Sequence, residues 1–343
     1  MSSLAVTCEA VKAALTGGRP VPHHARVSFV SVDGRSLVVK RTRDGAGGAR
    51  SLRHEALAAG HAARVVVSGA GAIATAPLCS DGEVLVFEHI DAPSLHTSLS
   101  ERWSISAASA CGAVLARLHA SRVPAALGRC RPERPQRFPL TIQQYGQTPD
   151  SVLALLRSLE LLPGVRDTLD EAHRRPWGSE AFVHGDFKPD NILLVGRPER
   201  ATAVRVIDWE LAGRGDPVED VAALSAGLLS LALQGKVTAT GAMSPDDFRR
   251  CVEQASSDTF CFFAAFLAAY REVRPLPVEP RVLLGDMALR ILSRAQSIVM
   301  LTGTVNAVAT LLLHAVRGML TDVERSAAAL TAAIAGHSTG GPR

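Results

Sequence analysis

The chain has 343 residues, 47% of them hydrophobic, and a formal net charge of only +4, so it can bury a large core and lacks the basic excess expected of a nucleic-acid binder. Its six cysteines (Cys8, Cys79, Cys111, Cys130, Cys251, Cys261) include no Cys-x-x-Cys pair, which speaks against a zinc site or a disulfide framework and fits a reduced, cytoplasmic setting. Met1 to Leu15 carries Glu9 and Lys12 and lacks the long apolar run of an export signal.

In chain order, the first readable unit is a hairpin. Arg26 to Val32 and Arg35 to Lys40 are β-rich runs on either side of Asp33-Gly34, a dipeptide suited to a tight turn. The preceding stretch, Gly17-Gly18-Arg19-Pro20-Val21-Pro22-His23-His24, holds no Gly-x-Gly-x-x-Gly. Its two histidines read as loop residues, because no other ligand cluster is spaced to join them. Ser51 to Leu57 has a helical pattern and contains Glu55, an acid able to hold Lys40 by an ion pair. Val84 to Ile90 reads as a buried strand followed by Asp91-Ala92-Pro93-Ser94-Leu95, and Ile105 to His119 reads as a helix. From Ser121 to Asp150, Pro124, Pro132, Pro135 and Pro139 break helical patterns. Arg122, Arg129, Arg131, Arg134 and Arg137 make this a solvated loop or a guide for an acidic acceptor.

The stretch Phe182 to Glu210 carries the chemistry, with FVHGDFKPDNILL followed by VRVIDWE. Asp186 and Asn191 stand in the spacing Asp-x-x-x-x-Asn, Lys188 lies between them, and Asp208 follows a predicted strand pair. A migrating phosphoryl group needs positioning and charge neutralisation more than covalent chemistry. Asp186 can accept the proton of an alcohol, and Lys188 can set a compact positive charge against the phosphate. Asn191 and Asp208 can hold Mg²⁺, a hard ion that seeks oxygen, together with a nucleotide's own phosphates. Only four of the 37 basic residues are lysines (Lys12, Lys40, Lys188, Lys236), and two of them fall on these positions. Ammonium and guanidinium are not interchangeable at a phosphate.

Beyond Asp220 the pattern is helical. Phe260, Phe262, Phe263, Phe266 and Tyr270 read as core rather than as a base-stacking platform. Ser297 to Val316 has no Asp, Glu, Lys or Arg, yet it includes Thr302, Gly303, Thr304, Asn306 and His314, so it is expected to be one buried helix and not a membrane span. Residues 215–343 hold 12 acidic against 11 basic side chains, without the carboxylate excess that would draw a polycation.

The His184-Gly185-Asp186 triplet, Ile207-Asp208-Trp209-Glu210, and Gly215-Asp216-Pro217 with Asp220 resemble the aminoglycoside phosphotransferase and choline kinase-like branch of the protein-kinase-like superfamily, firmly over residues 80–225. Gly185 discriminates, since protein kinases usually carry Arg there, and Trp209 stands where they carry Phe. The resemblance implies an α+β, bilobal fold, with a small β-rich lobe over residues 1–90 that binds the nucleotide and a large, mostly helical lobe over 91–343 that binds the acceptor. It implies that Lys40 meets the α- and β-phosphates while paired with Glu55. It also implies that the Glu88 carbonyl and the Ile90 N–H meet the adenine edge, with ATP as nucleotide, GTP as its alternative, and Mg²⁺ as the metal. By the same resemblance, His119 and His184 are structural residues beside the catalytic loop. The missing glycine-rich loop is a departure that this branch often tolerates.

Three function classes follow. Relatives of the branch in lanthipeptide- or thioamitide-type pathways phosphorylate Ser or Thr of a precursor peptide, so that a lyase partner can eliminate the phosphate. The run VIDWELAGRGDP resembles those relatives, and this reading is favoured. The second class is a small-molecule kinase of the antibiotic-modifying or the choline or homoserine type. The third, a scaffold without activity, predicts loss of Lys40, Asp186, Asn191 or Asp208, and all four are present.

Overall fold

The computed structural model describes residues 6–17, 26–42, 46–68, 71–101, 103–130, 135, 140–160, 164–176, 179–196, 203–240, 244–276 and 278–338. The loop before the hairpin, including Gly18 to His24, and Arg131, Arg134 and Arg137 lie outside them.

The amino-terminal part opens with helix α1 (Cys8–Gly17), then strands β1 (Val27–Val32) and β2 (Arg35–Arg41). Asp33 and Gly34 both take positive φ, 50° and 74°, and this lets a two-residue turn pair Val32 with Arg35 and Val27 with Lys40. Helix α2 (Ala46–Ala62) follows, then the short strands β3 (Val66–Val67), β4 (Gly71–Ala72) and β5 (Cys79–Ser80), and β6 (Val84–Glu88). The sheet runs β1-β2-β6-β5, and β2 pairs antiparallel with β6 so that Lys40 stands opposite Leu85 and Leu37 opposite Glu88. Leu37, Val39, Val84 and Val86 bury one face of this sheet against Val11 of α1.

The carboxy-terminal part is largely helical. It begins with α3 (Leu95–Glu101), α4 (Ile105–Ala120), α5 (Ile142–Gln147), α6 (Asp150–Glu160) and α7 (Val165–Arg174). Two antiparallel ribbons then pair strands β7 (Ala181–Val183) with β10 (Gly213–Gly215) and β8 (Ile192–Val195) with β9 (Ala203–Val206). This pairing sets the loop 184–191 beside the segment 207–212, and Ile207 N–H donates to the Asn191 carbonyl at 3.0 Å. Helices α8 (Val218–Thr240), α9 (Pro245–Val273), α10 (Pro280–Thr302), α11 (Ala307–Thr321) and α12 (Val323–Ser338) complete the described residues. Its α+β composition matches the expected fold class.

Helix α4 is the central strut. Ser104 caps it by accepting from Ala107 N–H, and Gly112 lets α9 come so near that a Cβ there would stand 2.2 Å from the Phe266 carbonyl oxygen. Phe262, Phe266 and Tyr270 recur every four residues along α9 and are buried with Phe263, while Phe260 is partly exposed. The apolar window Val218–Gly235 of α8 is long and apolar enough to cross a membrane, and 78% of it is buried inside the fold.

Two sequence expectations need correction. Ser297 to Val316 is not one buried helix: Gly303 takes a left-handed conformation (φ 73°) and ends α10, and Asn306 starts α11 by accepting from Ala309 N–H. Met300 and Leu301 at this break are exposed. The stretch 121–150 also contains helix α5, nucleated by a reciprocal cap between Thr141 and Gln144 in the proline-free run between Pro139 and Pro149.

Candidate active site

A cavity of about 360 Å³ lies under the sheet, where β1, β2 and β6 face the loop 184–191 and the segment 207–209. Val27, Phe29 and Val38 supply an apolar roof, while Lys40, Glu55, Glu88, Ile90, Asn191 and Asp208 all line it. Six of the eight residues singled out in the sequence therefore share one space. Its size falls within the ~300–1,000 Å³ usual for small-ligand sites.

Lys40 projects from β2 between two carboxylates. It contacts Glu55 of α2 and donates to Asp208 Oδ1 at 2.5 Å. Burial opposes its charge, but Glu55 and Asp208 outweigh burial and raise its pKa, so it stays an ammonium. Burial likewise works against the charge of Asp208, yet the nearby Lys40 lowers its pKa and keeps it ionised. Glu55 is 2% exposed, and burial raises its pKa despite the partial offset from Lys40. Asp208 has φ 68°, a left-handed backbone uncommon outside glycine.

The loop 184–191 presents the other candidates. Lys188 Nζ lies 2.6 Å from Asp186 Oδ2, and Asn191 Nδ2 donates to Asp186 Oδ2 at 3.1 Å and to its carbonyl at 3.0 Å. These bonds use the nitrogen of the Asn191 amide, so the donor set offers its Oδ1 to a cation beside the ionised Asp208. Among the described residues no group of three His, Cys, Asp or Glu is placed to hold a metal. Asn191 and Asp208 are the oxygen donors here that would hold a hard cation such as Mg²⁺, whose other ligands would come from outside the protein.

The backbone of this loop is fixed from beneath by Asp220, at the head of α8. Its two oxygens accept from His184 N–H at 2.7 Å and Gly185 N–H at 2.8 Å. Asp220 is itself held by His119 Nε2 at 3.1 Å, and His119 Nδ1 meets the Tyr270 hydroxyl at 2.9 Å. A neutral His119 that donates from Nε2 and accepts at Nδ1 satisfies both bonds. Burial lowers the His119 pKa in spite of Asp220, and it also opposes the charge of Asp220, whose pKa is lowered by His119 and the backbone donors. His184 accepts from Asp186 N–H at Nδ1 (3.2 Å) and meets the Ile207 carbonyl at Nε2 (3.0 Å), so both histidines brace the loop. Gly185 has φ 84°, and a Cβ on it would lie 2.7 Å from the Leu211 carbonyl oxygen and 2.9 Å from Cys130 Sγ. Glycine is required there on both counts.

A second cavity, of about 240 Å³, opens on the far side of Asp186 and Lys188. Its floor is α8 through Ala223, Gly227, Leu231 and Gln234, and α10 contributes a stripe of Arg290, Ser293, Arg294 and Ser297. Sequence reasoning missed this stripe, although four polar residues spaced i, i+3, i+4 and i+7 in an apolar helix were a signal. It also missed the clamp role of Asp220. Asp216, Glu219 and Asp220 crowd the start of an apolar helix because each answers a buried or half-buried partner. Asp216 and Asp286 pair with Arg175, and Glu219 pairs with Arg290 at 3.0 Å.

The family model "Phosphotransferase enzyme family" (APH) matches residues 18–243, more than half the chain. Acyl-CoA dehydrogenase family member 11 from Rattus norvegicus is 48% identical over 46 residues, which are 13% of this chain and 6% of that protein, so the chain spans only a small part of that curated relative's length. Among solved structures, choline kinase LicA from Streptococcus pneumoniae aligns with a TM-score of 0.50 at 13% identity, covering 92% of this chain and 98% of that one. A choline/ethanolamine kinase family protein from Mesorhizobium loti aligns with a TM-score of 0.48 at 18% identity, covering 96% and 99%. The choline kinase likeness is one of fold: a kinase-like architecture with a small strand-rich lobe and a larger helical one. By the extent of the family match, the chain belongs to the phosphotransferase enzyme family.

Proposed function

We propose that the protein is a phosphotransferase that moves the γ-phosphate of ATP, with Mg²⁺, to an alcohol in a reduced, cytoplasmic setting. One observation carries the reading: Asp186, Lys188 and Asn191 form a single hydrogen-bonded set at the junction of two cavities, with the Lys40–Asp208 pair facing one of them. Residues 1–90 act as the nucleotide-binding lobe and residues 91–343 as the catalytic and acceptor lobe. Lys40, held by Glu55, receives the α- and β-phosphates, and the main chain at Glu88 and Ile90 receives the base, either adenine or guanine.

Asp186 takes the proton of the acceptor hydroxyl as the new O–P bond forms and the bond between the γ-phosphorus and the β-phosphate oxygen breaks, releasing the nucleoside diphosphate. Lys188 balances negative charge on the group in transit. Mg²⁺, when bound by Asn191 and Asp208, supplies charge neutralisation on the phosphates. The favoured acceptor is a small hydroxyl compound, because the cavity beside Asp186 is compact and walled by α8 and α10. Ser or Thr of a precursor peptide, with a lyase partner, stands as the second reading. Ile142 is 95% exposed and Tyr145 is also exposed on α5, just beyond the arginine-rich loop, where an extended chain can lie.

Mass spectrometry of acceptors incubated with Mg-ATP tests the reading by the gain of one phosphate. In parallel, Asp208→Ala should weaken Mg-ATP binding and slow turnover together, as read by calorimetry and rate assay. Unchanged affinity and rate in that variant would remove Asp208 from the metal site.

A further inference from the structure

The cavity beside Asp186 is lined by three cationic side chains, Lys188, Arg290 and Arg294, and two carboxylates, Asp186 and Asp190. Most of this charge is already matched. Lys188 pairs with Asp186 at 2.6 Å, His96 Nδ1 meets Asp190 at 3.2 Å, and Arg290 pairs with the buried Glu219 at 3.0 Å. Arg294 differs. It is half-buried, one turn beyond Arg290 on the same face of α10, and its partner among the described residues is the Ser230 hydroxyl, which accepts from Nε at 3.3 Å. No described carboxylate pairs with it. The bond from Nε orients the guanidinium and leaves its two terminal amino groups as a planar fork, which matches two oxygens of a carboxylate or phosphate. A half-buried cation without a counter-charge is costly, so the site favours a ligand that brings an anion.

Resting on the phosphotransferase reading above, we propose that the acceptor is a small hydroxyl compound that also carries an oxyanion, either a carboxylate or a phosphate monoester, bound by the Arg294 guanidinium across the cavity from Asp186. The unmatched charge of Arg294 partly offsets repulsion between this anion and the nucleotide's phosphates, since Arg290 and Lys188 are already paired with Glu219 and Asp186. The same unmatched guanidinium disfavours a polycationic acceptor. Ser293 and Ser297, one turn apart on the same wall, offer hydroxyls to the ligand's remaining polar atoms.

The test uses the full chain and a matched set of short compounds with one reacting hydroxyl: a hydroxy carboxylate, a hydroxyalkyl phosphate, the neutral diol and the amino alcohol. Calorimetry with the protein bound to Mg²⁺ and a non-hydrolysable ATP analogue reads affinity, and product mass with Mg-ATP reads transfer. At least one anionic member should bind about tenfold more tightly than the diol, the usual scale of a charge-assisted hydrogen bond, with the amino alcohol weakest. Arg294→Gln should erase that preference by raising the KM of the anionic acceptor about tenfold, and Arg294→Lys should restore part of it. Melting curves with the nucleotide analogue report whether each variant is folded, and Ser230→Ala, which frees the guanidinium from its tether, should weaken anion binding to a smaller degree. The carboxylate and phosphate arms separate the two sources of the anion. Equal or tighter binding of the diol or amino alcohol, or a preference that survives Arg294→Gln, overturns the proposal while leaving the phosphotransferase reading intact. Failure of Mg-nucleotide to bind at all overturns both.

Discussion

At Asp186 a single carboxylate oxygen holds both Lys188 and Asn191, so its charge is aimed before any acceptor arrives. Asp186→Asn preserves the shape and removes the basic oxygen. Turnover should fall by ~10²-fold or more with Mg-ATP affinity retained, and single-turnover assays beside calorimetry check this. A neighbouring substitution tests the scaffold instead. Gly185→Ala forces a side chain onto a φ of 84° and into the Leu211 carbonyl. The backbone alone costs about 1–2 kcal/mol. The urea midpoint should drop accordingly, and a midpoint equal to that of the parent would mean the loop yields easily. The left-handed backbone, together with this close approach, gives a physical reason why the triplet reads His-Gly-Asp here and why arginine cannot stand in the middle.

The elements show where reading a sequence succeeds. The hairpin at Asp33-Gly34 and the capped helix α4 were legible because local chemistry decides them, a turn dipeptide in one case and an apolar period in the other. Helices α10 and α11 were not separated, because the signal for an uncharged stretch overrode the signal of Gly303 and Asn306, whose left-handed and capping roles emerge only with the backbone. The site behaves in the same way. Lys40, Glu55, Asp186, Lys188, Asn191 and Asp208 sit in compact motifs and could be located, whereas Arg290, Arg294 and the clamp through Asp220 depend on which faces of α8 and α10 meet. Close packing of elements also predicts a cost. Gly112→Ala must push α9 off α4, since the added Cβ would meet the Phe266 carbonyl at 2.2 Å. The loss should be at least the ~1–3 kcal/mol typical of core overpacking, measured by denaturant unfolding.

For the whole molecule, the buried chain Tyr270, His119, Asp220 and the loop backbone ties α9, α4 and α8 to the loop 184–191. It sets how stability responds to acid. His119 has a folded pKa below its ordinary 6.5, so the unfolded chain binds its proton first, and stability that is complete above about pH 6.5 declines as pH falls towards the folded value. His61, whose pKa burial also lowers, contributes in the same direction. Asp220 has a folded pKa below 3.8, so its contribution is present above that value and is lost as pH falls through the folded pKa. Thermal melts from pH 8 to 4 should therefore show a decline that begins near pH 6.5. His119→Gln, which cannot titrate, should flatten the early part of that decline. A curve of unchanged shape would remove His119 as its source.

The left-handed backbone at Asp208 carries a further consequence. A metal site proposed there has to satisfy two unrelated demands, a side-chain oxygen of short reach and a conformation that most side chains resist, and aspartate and asparagine are the residues that meet both. On that proposal, selection for catalysis and selection for folding act on this position in opposite directions. Between two variants that both lack the carboxylate, Asp208→Gly should be more stable than Asp208→Ala by about 1 kcal/mol, since glycine alone takes φ 68° without strain. A protein drifting towards stability would lose by that route the carboxylate proposed to hold Mg²⁺, so on that proposal the aspartate at position 208 is kept at a cost to folding.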